Sequence, residues 1–532
     1  MKKILLFFSL VLFSIAGFSQ NRYLDQVFSD VEVSTEIYGA NATILTLFDT
    51  NFREAIRIPL EADIYTPVGD TETDRPLVVY MHTGIFLPQG LNQSVTGTRR
   101  DSATVEVCTR LAKMGYVVAS ADYRLGWNPE AQTQPLRALG LIQATYRGIQ
   151  DARTAIRYFK LNAANGNPHG IDTTKIVLWG QGTGGYISLA TATFDEFAEI
   201  AMTTNPPNKF LTDLDGNPAT LEPMVIPAIF GDIEGKTFGV VPPTGFGTIP
   251  PNDTLCYPQY VNQTSDFALC VNMGGALADI NWLEAGDVPM ISYHIPNDQY
   301  APYEDAVLVV PTTGDPIVQV QGSKAIIEKA NTLGNNQVFV DAAINDEYTQ
   351  GAMANSALAG HAYLEGLYPF IRPVNQFNQP EGAPWEWWNS AVWSAVPHPS
   401  GMGSFDFVAK LTNAMMSPTQ GRTYIDTIVG YYAPRAYAAL NLSTSVKDLI
   451  SATDVDLKTA PNPASDRVHI STGLDYPIQD LAIYDLNGKY ITGQFGMNSS
   501  EFNLYRGTLP RGLYIMKLRF KEGVVATKLM FD

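Results

Sequence analysis

The chain has 532 residues, 53 acidic and 35 basic side chains, and a formal charge of −18. It is long enough for two or more domains, and too acidic to suit duplex nucleic acid or an anionic membrane surface, both of which attract basic proteins. Its three cysteines show neither C-x-x-C nor zinc-finger spacing, so no metal or other cofactor is indicated.

The chain opens MKKILLFFSLVLFSIAGFSQ, with two lysines, an apolar run from Ile4 to Phe18, and small or polar residues before Asn21. That is the pattern of a secretory signal peptide over residues 1–20, and the run is short for a membrane span. No later stretch approaches span length, so no membrane span is expected. Export brings the chain into an oxidising compartment, where Cys256 and Cys270 are close enough in sequence to form a disulfide. Cys108 sits in a helical pattern and is expected to be a buried thiol.

Alternating segments at Val31–Tyr38, Ala42–Leu47 and Pro59–Tyr65 predict a β-meander. Pro76–Met81 is unbroken in its hydrophobicity, as a strand buried on both faces should be, and it runs into His82-Thr83-Gly84. A helix over Val105–Met114 ends at Gly115, and a strand over Tyr116–Ala121 leads into Asp122-Tyr123-Arg124-Leu125-Gly126. A long helix from Gln143 to Asn162 follows. Strands alternating with helices predict an α/β fold: a mostly parallel sheet with helices on both faces.

The stretch Lys175–Ala190, KIVLWGQGTGGYISLA, reads as strand, tight turn and helix. It lacks G-x-x-x-x-G-K-[ST] and does not fit G-x-G-x-x-G with its downstream acid, so a phosphate loop is disfavoured. It has the layout of a nucleophile elbow, in which the middle residue of G-x-S-x-G carries the attacking hydroxyl above the sheet. Here the five residues are Gly180-Gln181-Gly182-Thr183-Gly184. The flanking glycines are present, and the nucleophile position holds Gly182. Thr183 follows that position, so its N–H suits an oxyanion hole while its hydroxyl should be directed elsewhere.

The HTG turn, the GYVVASADYRLG stretch, the GIQDARTAIRYFK helix and WGQGTGGY together resemble a secreted carboxylesterase of the α/β-hydrolase superfamily, over about residues 55–310. The resemblance implies an oxyanion hole from Thr83, Gly84 and Thr183. It also implies that Asp298, in His294-Ile295-Pro296-Asn297-Asp298 after the strand Pro289–His294, orients a catalytic histidine. His361 is the expected histidine because the order elbow, Asp298, His361 matches the fold's triad order. His169, His398 and His469 suit the surface or another domain, and His82 and His294 lie at strand ends. A turn role for Asp298 and a structural role for His361 are the alternatives.

Residues 203–266 are rich in proline, glycine and Asn/Asp/Thr clusters, and read as an insertion that either caps the pocket or forms a surface loop region. Ala268–Gly275 predicts a further strand, Ser323–Thr332 a helix and Gln337–Ile344 another strand. Trp385, Trp387, Trp388 and Trp393 read as core packing under a long loop, with a ligand-gripping patch as the alternative.

The hydrolase-like body is expected over residues 21–450 and a separate domain over 455–532. The tail, from APNPASDRVHIS through YDLNGK and LPRGLYIMKL to KLMF, alternates short strands with turns at Asn487-Gly488 and Arg511-Gly512, predicting a small C-terminal β-sandwich. It resembles the C-terminal sorting domain of the type IX secretion system of Bacteroidetes. That resemblance implies the secretion machinery as partner and a final location at the cell surface or outside the cell. Two functions follow. In one, esterase chemistry is weak or lost and the pocket holds a small ester or other ligand. In the other, hydrolysis continues through a non-standard nucleophile or an activated water.

Overall fold

The computed structural model describes residues 21–48, 53–213, 219–246, 249–298, 300–310, 313–372, 382–442, 450–485, 490–494, 497–520 and 523–532. The expected leader and the Asn487-Gly488 turn lie outside the described residues. The chain divides into two compact units, Met1–Leu442 and Ser443–Asp532.

In the first unit, β1 (Val31–Thr43) and β2 (Ile56–Pro67) form a long antiparallel hairpin. The three expected meander segments are therefore two strands, because the irregularity between Ile37 and Gly39 shifts the register of β1 without ending it. β3 (Arg75–Met81), β4 (Val117–Ala121), β5 (Ile171–Gln181), β6 (Leu269–Met273), β7 (Met290–His294) and β8 (Leu367–Pro369) complete an eight-stranded sheet. Its order is β1-β2-β4-β3-β5-β6-β7-β8, and every pairing from β4 to β8 is parallel.

The unbroken apolar run of β3 has a direct physical reason. Successive side chains point to opposite faces, and each face has its own core. Leu77, Val79 and Met81 pack with Ile149 and Ile156 of α2 (Gln134–Ala164) and Ile187 of α3 (Thr183–Thr193). Val78 and Tyr80 pack instead with Val107 and Leu111 of α1 (Ser102–Lys113) and with a long helix near the end of the unit, Pro418–Ala439.

α2 also carries the polar anchor of the unit. Asp151 accepts the backbone N–H of Arg124 at 2.8 Å and its Nε at 2.9 Å, and Arg124 reaches on to the Leu255 carbonyl and Gln150. Both charged side chains are fully buried, and their pairing fixes the loop after β4 onto the helix.

Two expectations are corrected. Gln337–Ile344 is no strand: α4 (Ser323–Leu333) is followed by a short helix, α5 (Gln337–Ala342), in which Phe339 is buried while Val340 is half exposed. The sheet's last strand is β8. The described residues of 203–266 line no part of the cavity at Gly182 and lie along α2, where Gln143 donates to the Met224 carbonyl, Gln150 to Phe230 and Asp232, and Arg153 pairs with Glu234. Cys256 and Cys270 are both free and buried, Cys256 where a Cβ on Gly231 would meet it and Cys270 inside the central sheet. Burial pushes the Cys270 thiol up to about 12. Cys108 is a buried thiol, as its helical setting suggests.

The second unit consists of antiparallel strands in sheets of three and four, with Val468, Ile470, Leu481, Ile483, Met516 and Leu518 alternating into one core. Among the described residues, no helix is long and apolar enough to cross a membrane.

Candidate ligand cavity at the elbow

β5 ends at Gln181, Gly182 turns the chain with φ 55° and ψ −116°, and α3 begins at Thr183. That backbone is open to glycine and strained for residues with a Cβ. The neighbouring glycines serve close approach: a Cβ on Gly180 would strike the Gly184 carbonyl, and one on Gly184 the Met81 carbonyl. The strand-turn-helix read from the sequence is therefore built as an elbow.

The space above Gly182 is filled from the other side. A Cβ on Gly182 would overlap Thr83 Oγ1 and lie 2.9 Å from Thr83 Cβ. Rotating the Thr83 side chain moves its hydroxyl and leaves that Cβ in place, so the position opposite the elbow is occupied in every rotamer. The His82 ring beside it stacks on Tyr123 at 4.6 Å, and its Nδ1 lies 2.6 Å from the Thr83 carbonyl. Burial lowers the His82 pKa. The ring is thus neutral, with Nδ1–H donating to Thr83. Tyr123 donates to the His82 carbonyl at 2.9 Å and lies 3.1 Å from Thr183 Oγ1.

A cavity of about 640 Å³ opens at this turn, and Thr83, Gly84, Gly182, Thr183 and Asp298 all line it. Asp298 Oδ1 accepts from the backbone N–H groups of Tyr300 at 2.7 Å and Ala301 at 3.3 Å, a turn-stabilising role. Burial holds its carboxyl above the ordinary range, opposed by the nearby His294. Its remaining oxygen, Oδ2, receives no hydrogen bond from the described residues. No described residue of the 203–266 insertion is among the lining residues; the far walls come from 85–96, 300–317 and 382–413.

His361 is not brought to the cavity. It follows the helix Glu347–Leu358, with Nε2 2.7 Å from Tyr303 Oη and Nδ1 2.8 Å from the Ala362 carbonyl. Both ring nitrogens are therefore engaged away from Gly182 and Asp298. The expected juxtaposition of these three residues is not present.

Two features of the wall went unread in the sequence. Glu386, inside the WEWW run, accepts from Gln181 Nε2 at 2.8 Å, and Gln181 in turn accepts from Tyr80 Oη at 2.6 Å. Burial pushes the Glu386 carboxyl up to about 8, helped by the negative charges of Asp101 and Asp298 and opposed by the bonds from Gln181 and Thr96. The signal was a lone acid within a tryptophan cluster. Trp385, Trp387 and Trp388 are buried, as packing requires, and Trp385 and Trp388 also line the cavity.

The second feature is His398, which lies on the wall and not at the outer surface, with Nδ1 2.7 Å from Ser400 Oγ and Nε2 3.2 Å from the Gln93 carbonyl. The carbonyl fixes the proton on Nε2, so Nδ1 accepts. Ser400 N–H shares that acceptor at 3.2 Å.

Comparison with known proteins finds one family model in each of the two units. The BD-FAE family model matches residues 62–213, and the secretion system C-terminal sorting domain model matches residues 458–532. Among solved structures, esterase 2 of Thermogutta terrifontis phosphorylated by paraoxon is similar at 15% identity, covering 64% of this chain and 82% of that one with a TM-score of 0.30. The propionate-bound form of that esterase, at 14% identity, covers 65% and 85% with a TM-score of 0.30. No curated protein matches. The chain thus carries an α/β-hydrolase-like domain and a type IX sorting domain, and the latter indicates export to the cell surface or the extracellular space.

Proposed function

We propose that this exported protein uses the elbow cavity to bind a small organic molecule and runs no serine-esterase chemistry from the elbow. The observation that carries the reading is the fit between Gly182 and Thr83. The nucleophile position lacks a side chain, and the facing loop fills the volume in which a serine Cβ would stand. Thr183 cannot substitute, because its hydroxyl is held beside Tyr123 Oη. The cavity is within the size range of small-molecule sites and joins an apolar wall to a few converging polar groups, as such sites do.

The full chain treated with a fluorophosphonate probe and with short-chain nitrophenyl esters is expected to show neither covalent labelling nor turnover above buffer. Stoichiometric labelling that maps to residues of the elbow would contradict the proposal.

A second reading, an active ester hydrolase with its nucleophile elsewhere, is favoured by the 2.7 Å contact between Ser400 Oγ and His398 Nδ1 on the cavity wall. The same Nδ1 also accepts Ser400 N–H, which is how a histidine caps a turn. The same experiment separates the two. Labelling at Ser400 that disappears in both Ser400→Ala and His398→Ala establishes the second reading, and an unlabelled Ser400 leaves the contact as a turn cap.

A further inference from the structure

The carboxyl groups of the cavity wall share it with no lysine or arginine among the described lining residues. Glu130, Asp298 and Glu386 reach it from three separate segments, the loop before α2, the turn after β7 and the tryptophan run. Carboxylates on different elements, facing one space with no countercharge, disfavour an anionic occupant and favour a positive one. An ester's acid product, a phosphate or a sulfonate would meet repulsion from every charged group on the wall.

The wall is also aromatic. Trp127, Trp385, Trp388, Phe86 and Phe405 line it. Asp298 Oδ2 and the Trp385 ring edge converge on one spot, at 4.0 Å and 3.8 Å from the point where a Cβ on Gly274 would stand. A carboxylate oxygen there gives an organic cation its charge partner, and the indole edge beside it gives apolar contact for the cation's alkyl groups.

A second, independent observation concerns unmet donors. Trp385 is only 2% exposed, and its indole Nε1 has no acceptor among the described residues. Tyr186 Oη, on the same wall, is also buried without a partner among them. Buried polar groups are normally paired, and both side chains belong to the cavity wall.

We infer that the elbow cavity binds an organic cation, an amine or quaternary ammonium compound, that also carries a hydrogen-bond acceptor such as a carbonyl. The inference rests on the reading of the cavity as a ligand site, and it names the ligand's chemical class. Asp298 Oδ2 supplies negative charge, the Glu386 carboxyl, neutral while the cavity is empty, releases its proton to solvent beside the bound cation, the aromatic side chains of the wall cover the alkyl groups around it, and Trp385 N–H is the donor for the acceptor.

The test compares two probes of the same shape, acetylcholine and its uncharged carbon isostere 3,3-dimethylbutyl acetate, by ligand-observed NMR titration of the full chain. Acetylcholine is expected to bind at least tenfold more tightly. Asp298→Asn and Glu386→Gln should each reduce that ratio by threefold or more. Equal affinity, tighter binding of the isostere, or a ratio unmoved by both variants would overturn the inference and leave the ligand-site reading intact. Failure of both probes to bind would count against the inference and the reading together.

Discussion

The complementarity of Gly182 and Thr83 can be measured as a coupling energy. Gly182→Ser alone places a Cβ at φ 55° and overlaps the Thr83 side chain, whose own Cβ would be 2.9 Å away. Backbone strain at such a position costs roughly 1–3 kcal/mol, and overpacking a filled site adds about 1–3 kcal/mol. The single substitution should therefore destabilise the first unit by about 2–6 kcal/mol. Thr83→Gly removes the overlap and leaves the strain, so in that background the same serine should cost only about 1–3 kcal/mol. Chemical denaturation of wild type, the two single variants and the double variant closes a double-mutant cycle, with an expected coupling of about 1–3 kcal/mol. The double variant should still fail to hydrolyse activated esters, because His361 is bonded to Tyr303 and Ala362 and does not line the cavity. A coupling below about 0.5 kcal/mol, the usual error of additivity, would refute the claim that Thr83 fills the nucleophile's space. Esterase activity in Gly182→Ser alone would refute the claim that the triad is not assembled.

The legible parts of this molecule are those where one local rule dominates. The β3 run announced burial on both faces, and GQGTGG announced an elbow because only glycine tolerates both its turn and its close crossings. Asp298 was singled out through the resemblance as a histidine-orienting acid or else a turn residue, and its bonds to the Tyr300 and Ala301 N–H groups are those of a turn. What could not be read depends on distant segments. Gln337–Ile344 has a strand's composition, yet Phe339 finds a core contact as part of a helical turn while Val340 stays outside. The cysteine pair was suggested by export and short separation, but Cys270 is buried in a central strand of the sheet and both thiols are free. His361 satisfied the chain order of a triad, and chain order carries no distance. Glu386 and His398 lie 205 and 217 positions beyond Gln181 in numbering, and nothing local tied them to the elbow.

Four further outcomes are expected. Cys256 and Cys270 should both react with a thiol reagent only after denaturation, and recovery of a Cys256–Cys270 bridged peptide from unreduced protein would contradict the free thiols. Asp151→Ala leaves the Arg124 guanidinium buried beside no carboxylate, and should cost about 3–5 kcal/mol in denaturant unfolding; a loss under about 1 kcal/mol would show that the pair is not the anchor described. Deleting residues 458–532 should leave the chain in the periplasm of a host with type IX machinery, and normal export of the shortened chain would contradict the sorting role. The last concerns Glu386, whose carboxyl is lifted from its ordinary 4.5 to about 8 in the folded protein. Between those values the unfolded chain ionises this group and the folded chain does not, so the unfolded state binds fewer protons and wild-type stability falls as pH rises. Glu386→Gln cannot titrate, and the amide oxygen it introduces can still accept from Gln181. The melting temperature of the variant relative to wild type should therefore climb from pH 5 to pH 8 and level off above it. The rise should be equivalent to a few kcal/mol, at roughly 1.4 kcal/mol for each tenfold difference in proton affinity between the folded and unfolded chains. A difference that is flat across that window would show that Glu386 is ionised in the folded cavity at pH 5, with a countercharge already beside it.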